Sequence, residues 1–428
     1  MNTIDTIRER FDTLQSGRKA GKLRLIEQQA FQEFSAMGIP TTRNEEWKYT
    51  RIGSLFNEGL QLPGDIMLSR EHLDAHRLPG WEKASELVFI NGIYNASLSV
   101  IRSSGIVVLP LEEAGEAGYA DIVSTHLGCS GRYIKDGIHA LNTAFLHQGV
   151  FLHIKKAGAE ENPVYIYHVT GQGHVLAQPR SLIYVEERAQ VQFTETHISL
   201  GEAPSLTNQV TEVVVEKDAA VWYYKIQNDA QQASQVNTTH FRQVGKSFVH
   251  TVTVSLNGGI VRNNLNISLE AEHCEAHLYG LYFMKGEGHV DNHTLVSHVK
   301  PNCMSNELYK GIADGHSAAV FNGKIFVHQQ AQKTNAFQSN KNILLSESAS
   351  VNTKPQLEIF ADDVKCSHGC TVGQLDMEGL FYLRSRGIDE KVARALLVQA
   401  FAGDILERIG QGPIRQYVEA LVAEQLEF

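Results

Sequence analysis

Cysteine is scarce in this chain of 428 residues: the five present, Cys129, Cys274, Cys303, Cys366 and Cys370, are scattered and odd in number. That argues against a disulfide framework and for a reducing compartment. Long hydrophobic runs are missing too. No segment reaches the roughly 18 apolar residues that a membrane-spanning helix needs. The stretch from Met1 to Phe11 alternates charged and apolar residues and has no continuous apolar stretch of signal-peptide length. The expectation is a cytoplasmic protein. Positive charge is in deficit, with 38 Lys and Arg against 48 Asp and Glu, and the net charge of -10 disfavours nucleic acid and anionic membrane as partners. Also absent are a GxxxxGKS phosphate loop, a dinucleotide fingerprint after a strand, a nucleophile elbow and any zinc-finger spacing among the 19 histidines. The chain is therefore expected neither to bind ATP itself nor to be a freestanding enzyme.

What is present is a long, mostly strand-like middle between two helical ends. From Thr3 to about Met37 the apolar residues Ile4, Ile7, Phe11, Leu14, Leu25, Ile26, Ala30, Phe31 and Phe34 recur at helical spacing, and Gly38 and Pro40 end that stretch. The run Arg43 to Thr50 mixes charges with Trp47 and Tyr49; it reads either as a recognition surface or as a linker whose Trp47 anchors it to the body. Beyond about Leu87, and nearly to residue 365, short β-branched and aromatic runs such as Leu87–Ile90 and Val164–Tyr167 alternate with Gly, Asn and Asp.

One stretch repeats within that region. Val185–Val191 (VEERAQV) is echoed by Val215–Val221 (VEKDAAV), and Leu345–Val351 (LSESASV) reads as a third copy. An apolar residue, a polar turn, a small alanine and another apolar residue suit stacked coils of a parallel β-solenoid; an ordinary β-sandwich is the alternative that these residues leave open. The solenoid should end near Val372. Asp376 offers an N-cap and Gly387 a C-cap for a helix carrying Leu380, Phe381 and Leu383. A second helix from about Asp389 presents Val392, Leu396, Ala400, Phe401 and Ile405 on one face, and a third runs from Pro413 to about Leu426. Such a unit either caps the open end of the solenoid or serves as a docking module. The boundaries are residues 1–85 for the N-terminal helical region, 86–372 for the solenoid and 373–428 for the C-terminal helical region.

The densest chemical signal is Cys366-Ser367-His368-Gly369-Cys370, preceded by Asp362 and Asp363. In an extended segment Cys366, His368 and Cys370 share a face, and thiolate with imidazole suits iron, zinc or copper. Three side chains on one strand make half a site at most. Buried cysteines are often only small hydrophobes, and most of the other histidines, including His273, His277, His289, His293 and His298, read as surface or hydrogen-bonded core residues.

The run Asn352–Gly369 (NTKPQLEIFADDVKCSHG), followed by Phe381–Gly387 (FYLRSRG), closely resembles the SufB/SufD family of iron-sulfur cluster assembly proteins. The order of blocks from Glu46-Trp47-Lys48-Tyr49, through Asp291–Thr294 and Asn322–Ile325, to that tail extends the resemblance over nearly the whole chain. The resemblance implies a right-handed parallel β-helix flanked by N- and C-terminal α-helical regions. It also implies a non-catalytic scaffold subunit that pairs with a SufB-like subunit and binds a SufC-like ATPase through its C-terminal helices, at Leu396, Phe401, Val392 and Ile405. Iron or a nascent iron-sulfur cluster would pass transiently through the interface with the SufB-like chain, contacted by His368 and Cys366, with no tightly bound cofactor. Isolated, the chain is open to forming a homodimer across the same surface. Cys370 departs from the small residue usual in the family and reads as a neutral small-for-small replacement. Two other readings stand beside this one: a SufB-like paralogue carrying the main cluster thiolate, and a carbohydrate-active β-helix enzyme, which needs two carboxylates on neighbouring coils.

Overall fold

The computed structural model describes residues 3–16, 21–57, 59–60, 62, 68–116, 118–156, 162–171 and 173–426. Its centre is a parallel β-solenoid of about eight turns. Successive strands alternate between two sheets, so each coil contributes one strand to each sheet. One sheet ends on the strand Val364–Gln374 and the other on Ser350–Ile359. Inside, in-register stacking turns the sequence of each coil into columns of side chains about 4.8 Å apart. Val191, Val221, Val249, Ala276, Ser305, Ala336 and Cys366 form one inward column. Phe193, Tyr223, Thr251, Leu278, Glu307, Gln338 and His368 form the next, and Glu195, Lys225, Thr253, Gly280, Tyr309, Asn340 and Cys370 a third. The interior is thus apolar along one side, where Val and Ala columns pack, and rich in amides and hydroxyls along the other.

The repeated sequence marks a corner. Arg188 and Asp218 adopt left-handed backbone conformations, with φ of 62° and 57°, and the alanines that follow them, Ala189 and Ala219, are buried. The same corner recurs at His273, Asn302 and Lys333, again with positive φ. There the next residues are Cys274, Cys303 and Thr334, all buried. Only small side chains fit beneath this turn, which accounts for two of the five cysteines as packing residues. The third copy, Leu345–Val351, lies at the opposite corner: it leaves the strand Thr334–Leu344 of one sheet and enters Ser350–Ile359 of the other, whereas the first two copies cross in the reverse direction. It is a sequence likeness without structural equivalence.

The N-terminal expectation holds with one refinement, since the helical stretch is two helices, Thr3–Ser16 and Lys22–Met37. The span 86–372 is not strand throughout. Residues 111–148 form short helices, Leu111–Glu116, Ala120–His126 and Gly137–Thr143 among them, which pack with the N-terminal helices. Buried Glu27 accepts hydrogen bonds from the backbone N–H of His147 and from Gln15. These helices lie on the outer face of the second sheet, against Leu182, Leu206, Val214 and Val236, while the first end of the solenoid is closed by antiparallel strands, Ile93–Tyr94 beside Ser85–Ile90 and Ile106–Pro110 beside Val150–Ile154.

The C-terminal helices are Met377–Ser385, Glu390–Leu406 and Pro413–Gln425. Asp376 caps the first through the backbone N–H groups of Glu378 and Gly379, Asp389 caps the second through that of Lys391, and Gly387 turns between them at φ 86°. They do not cap the open end. Val398, Ala402, Ile405 and Val418 pack onto the outer face of one sheet, against Val252, Val254, Leu281 and Ile312. Lys310 fixes the second helix there, donating to the carbonyl of Phe401 at 2.8 Å and to Asp404 at 2.5 Å. Among the described residues no helix is long and apolar enough to cross a membrane.

Candidate functional site

Because each coil hydrogen-bonds to the next, the last coil has a strand on only one side. Val364–Gln374 pairs with Thr334–Leu344, and Ser350–Ile359 with Ala318–Val327; both keep a free edge. Cys366, His368 and Cys370 stand two apart on Val364–Gln374 and so share its inward face, at the mouth of the solenoid. Cys366 is half-buried beside Ala336, Ala361, Ile325 and Leu357. Its burial pushes the thiol above its ordinary pKa, so it is a neutral thiol until a metal or base takes the proton. His368 and Cys370 are exposed, and the His368 side chain makes no hydrogen bond or ion pair with any described residue. A Cβ built at Gly369 or at Gly373 would meet no atom within 4 Å. The mouth is open to solvent on the side of His368 and Cys370.

Behind His368 the column turns polar. Gln338 is buried and donates from Nε2 to Oε2 of Glu307 at 2.8 Å. Desolvation, opposed only by neutral donors, pushes the Glu307 carboxyl up to about 7. Gly323 of the facing sheet makes room for this pair, because a Cβ there would run into the Gln338 amide. Neither Gln338 nor Glu307 carries a sequence motif; only the coil register finds them. Asp362 and Asp363 are exposed residues of the corner preceding the strand, with the backbone N–H of Asp363 bonded to Gln332. They form no carboxylate pair across neighbouring coils.

The other blocks singled out in the sequence meet on the outer face of the second sheet. Trp47 is buried, stacks 3.9 Å from the Arg262 guanidinium and donates to Asp136 at 3.0 Å, so this segment is the anchor rather than a free recognition surface. Glu46 lies 3.2 Å from Nδ1 of His293, whose Nε2 lies 2.9 Å from Asp291. Asn322 donates to Glu46 at 3.4 Å. Burial pushes the Asp291 carboxyl up, but the Arg262 charge at 2.6 Å and His293 outweigh it and hold the group far below the carboxylate range. Lys354 of the last coil reaches Glu45 at 2.7 Å. A cleft of about 480 Å³ runs between this clamp and the sheet. The blocks thus tie the N-terminal region to the coils nearest the mouth.

The four docking residues separate. Val392 and Leu396 are exposed, at 52% and 43%, Phe401 is half-buried under the Lys310 ammonium, and Ile405 is completely buried in the contact with the sheet. Ile405 is core, because its face of the helix is the one that meets the solenoid. The exposed apolar face instead continues onto the preceding helix, where Met377, Phe381 and Tyr382 are 62%, 75% and 57% exposed. Phe381 sits on the helix expected of it, and it is its exposure that adds it to this face.

The class these features define is a helix-flanked parallel β-solenoid with one closed end, one open end, and a thiol and an imidazole at the open mouth. Comparison with known proteins makes the class definite. The chain belongs to the SufB/SufD family: residues 167–401 match the SUF system FeS cluster assembly SufBD core domain, and residues 4–166 the SufBD protein N-terminal region. It is 32% identical over 400 residues to the iron-sulfur cluster assembly SufBD family protein slr0076 of Synechocystis, covering 90% of this chain and 87% of that one. To the iron-sulfur cluster assembly protein SufD of Escherichia coli it is 30% identical over 407 residues, covering 93% and 92%. The chloroplastic protein ABCI7 of Arabidopsis thaliana is 33% identical over 264 residues, 60% of this chain and 56% of that one. Family membership supports a role in iron-sulfur cluster assembly.

Proposed function

We propose that this chain is a non-catalytic scaffold subunit of a cluster-assembly complex, paired through its open end with a SufB-like subunit and carrying a SufC-like ATPase on its C-terminal helices. The observation that carries the reading is the last coil: two free strand edges flank Cys366 and His368, and His368 has no partner of its own. An exposed strand edge is a template for pairing with another chain. A second chain laid there would supply the missing wall and the remaining ligands for iron or a nascent cluster, which is the cargo of the complex. Imidazole can ligate iron or hydrogen-bond a sulfide, and Cys366 becomes a ligand once metal arrival displaces its proton. The exposed face formed by Phe381, Tyr382, Val392 and Leu396 is the docking surface for the ATPase in this reading.

The test is His368→Ala in the assembled complex. Co-elution of the three subunits is expected to be unchanged, while cluster delivery to an apoprotein falls roughly tenfold or more, as for loss of a metal-site group. Undiminished delivery would remove His368 from the site. A chain reconstituted alone with iron and sulfide should not develop iron-sulfur absorbance; if it does, it carries the main cluster site itself.

A further inference from the structure

The first coils of the solenoid bury a second constellation, far from the mouth. His168 on Val164–Gly171 and His197 on Gln190–Leu200 are register partners in adjacent strands, and Glu195 lies two residues before His197 on the same inward face. All three are buried, and one ligand atom from each lies within 4.8 Å of the others. From Gln190–Leu200 to the mouth strand there are six inter-strand steps, roughly 29 Å at 4.8 Å each.

The Glu195 carboxylate is heavily solvated by the protein: His168 Nε2 lies 2.7 Å from Oε1, Tyr223 donates to Oε2 at 2.7 Å, Lys225 is 3.2 Å from Oε2, and Gln209 also donates. His197 is the anomaly. Neither of its ring nitrogens has a well-formed hydrogen bond, and Nδ1 of His168 has none either. Gln209 is within reach of His197, but a buried imidazole without a well-formed hydrogen bond is costly to fold around. Hydrogen bonding within the cluster does not explain why the chain places one here; a ligand that uses the nitrogens does.

We propose that the closed end of the solenoid holds one borderline divalent cation, zinc(II) or iron(II), ligated by His168, Glu195 and His197. Two imidazoles and one carboxylate with a fourth position open are a donor set for these ions. Lys225 need not block the ion. Its ammonium already reaches Thr239 Oγ1 at 3.4 Å, beside a small cavity lined by Asn237 and Thr239 into which it can withdraw from Glu195.

The experiment uses the full chain with Cys366→Ser, His368→Ala and Cys370→Ser, so that the mouth contributes no ligand and the result is independent of the scaffold reading. Cobalt(II) serves as the spectroscopic probe, and zinc(II) and iron(II) are loaded anaerobically in separate arms and quantified after desalting. One equivalent of cobalt with the d–d bands of a four- or five-coordinate site is expected. His197→Gln and Glu195→Gln should each weaken binding at least tenfold, while His277→Gln, which removes an imidazole outside the interior, should not. Absence of stoichiometric cobalt from the natively folded parent, or binding indifferent to His197→Gln, overturns the proposal. Preference between the zinc and iron arms identifies the resident ion.

Discussion

Glu307 offers the sharpest test of the interior behind the mouth. Its carboxyl is fully buried, one oxygen accepts from Gln338, and the other has no partner of good geometry. The group titrates at about 7 instead of 4.5, a difference of 2.5 in pKa, worth about 3 kcal/mol at 1.36 kcal/mol per unit. Below pH 4.5 the carboxyl is protonated in folded and unfolded chains alike, and no electrostatic cost arises. As pH rises the unfolded chain ionises first, so stability falls between 4.5 and 7. Above 7 the folded carboxylate is charged as well, and the full loss is in place. Glu307→Gln keeps an acceptor for Gln338 and removes the charge. It is therefore expected to raise stability by about 3 kcal/mol at pH 8 and to change little at pH 4. Urea titrations followed by circular dichroism at the two pH values measure the difference. An equal gap between wild type and variant at both would show that the carboxylate finds a compensating cation or water in the lumen, and would refute the reasoning.

Leu396→Asp and Phe381→Asp should leave the helical dichroism intact and abolish pull-down of the ATPase, whereas Ile405→Asp places an unpaired charge in the core and should melt the tail before any binding is measured. Arg262→Met strands the buried Asp291 carboxylate and unstacks Trp47; a loss of about 3–5 kcal/mol in chemical denaturation is expected, and a loss under 1 kcal/mol would mean the clamp is incidental. On the last strand, adjacent backbone N–H groups point to opposite edges, so of Thr371→Pro and Val372→Pro one should weaken the chain's own ladder and the other only its association with a second chain. Both variants pairing normally in size-exclusion chromatography would exclude this edge from the interface.

Much of this architecture could be read from the residues, and the reasons are local. Asp376, Gly387 and Asp389 announced helix boundaries because capping is decided within a turn. The alanines at 189 and 219 announced the corner because only a small side chain fits beneath a left-handed turn. The third copy misled because both corners of a coil have to pass from an apolar strand end through a polar turn, and seven residues cannot say which sheet follows. The helices of residues 111–148 were absorbed into the strand region since each is short and none has a long amphipathic period. At the site, Cys366 and His368 are close in sequence and were found by spacing. Gln338, Glu307 and Gly323 were not, because stacking in register, and not sequence proximity, brings them together. The same holds for His168 with Glu195 and His197. Ile405 and Leu396 lie on one helix, and the sequence alone does not say which part of an amphipathic face is covered by the solenoid.

The two ends of the solenoid obey opposite rules. At the first end, antiparallel strands continue both sheets beyond the parallel coils. At the last end nothing among the described residues does so. The C-terminal helices follow directly on Val364–Gln374 but fold back along the outer face of the sheet, leaving the edge bare. Phe360, Ile359 and Val372 stay exposed beside it. Proteins ordinarily blunt such edges with charges, bulges or a covering helix; here one of the two strands carries Pro355 with Lys354 and Glu358, and the other carries Lys365 alone. The strand that bears Cys366 and His368 has no proline and two glycines with open space around them. In the proposed scaffold role, an edge left bare at the same coil that carries ligand-type side chains follows from a single requirement: the chain that closes the sheet would also complete the ligand set.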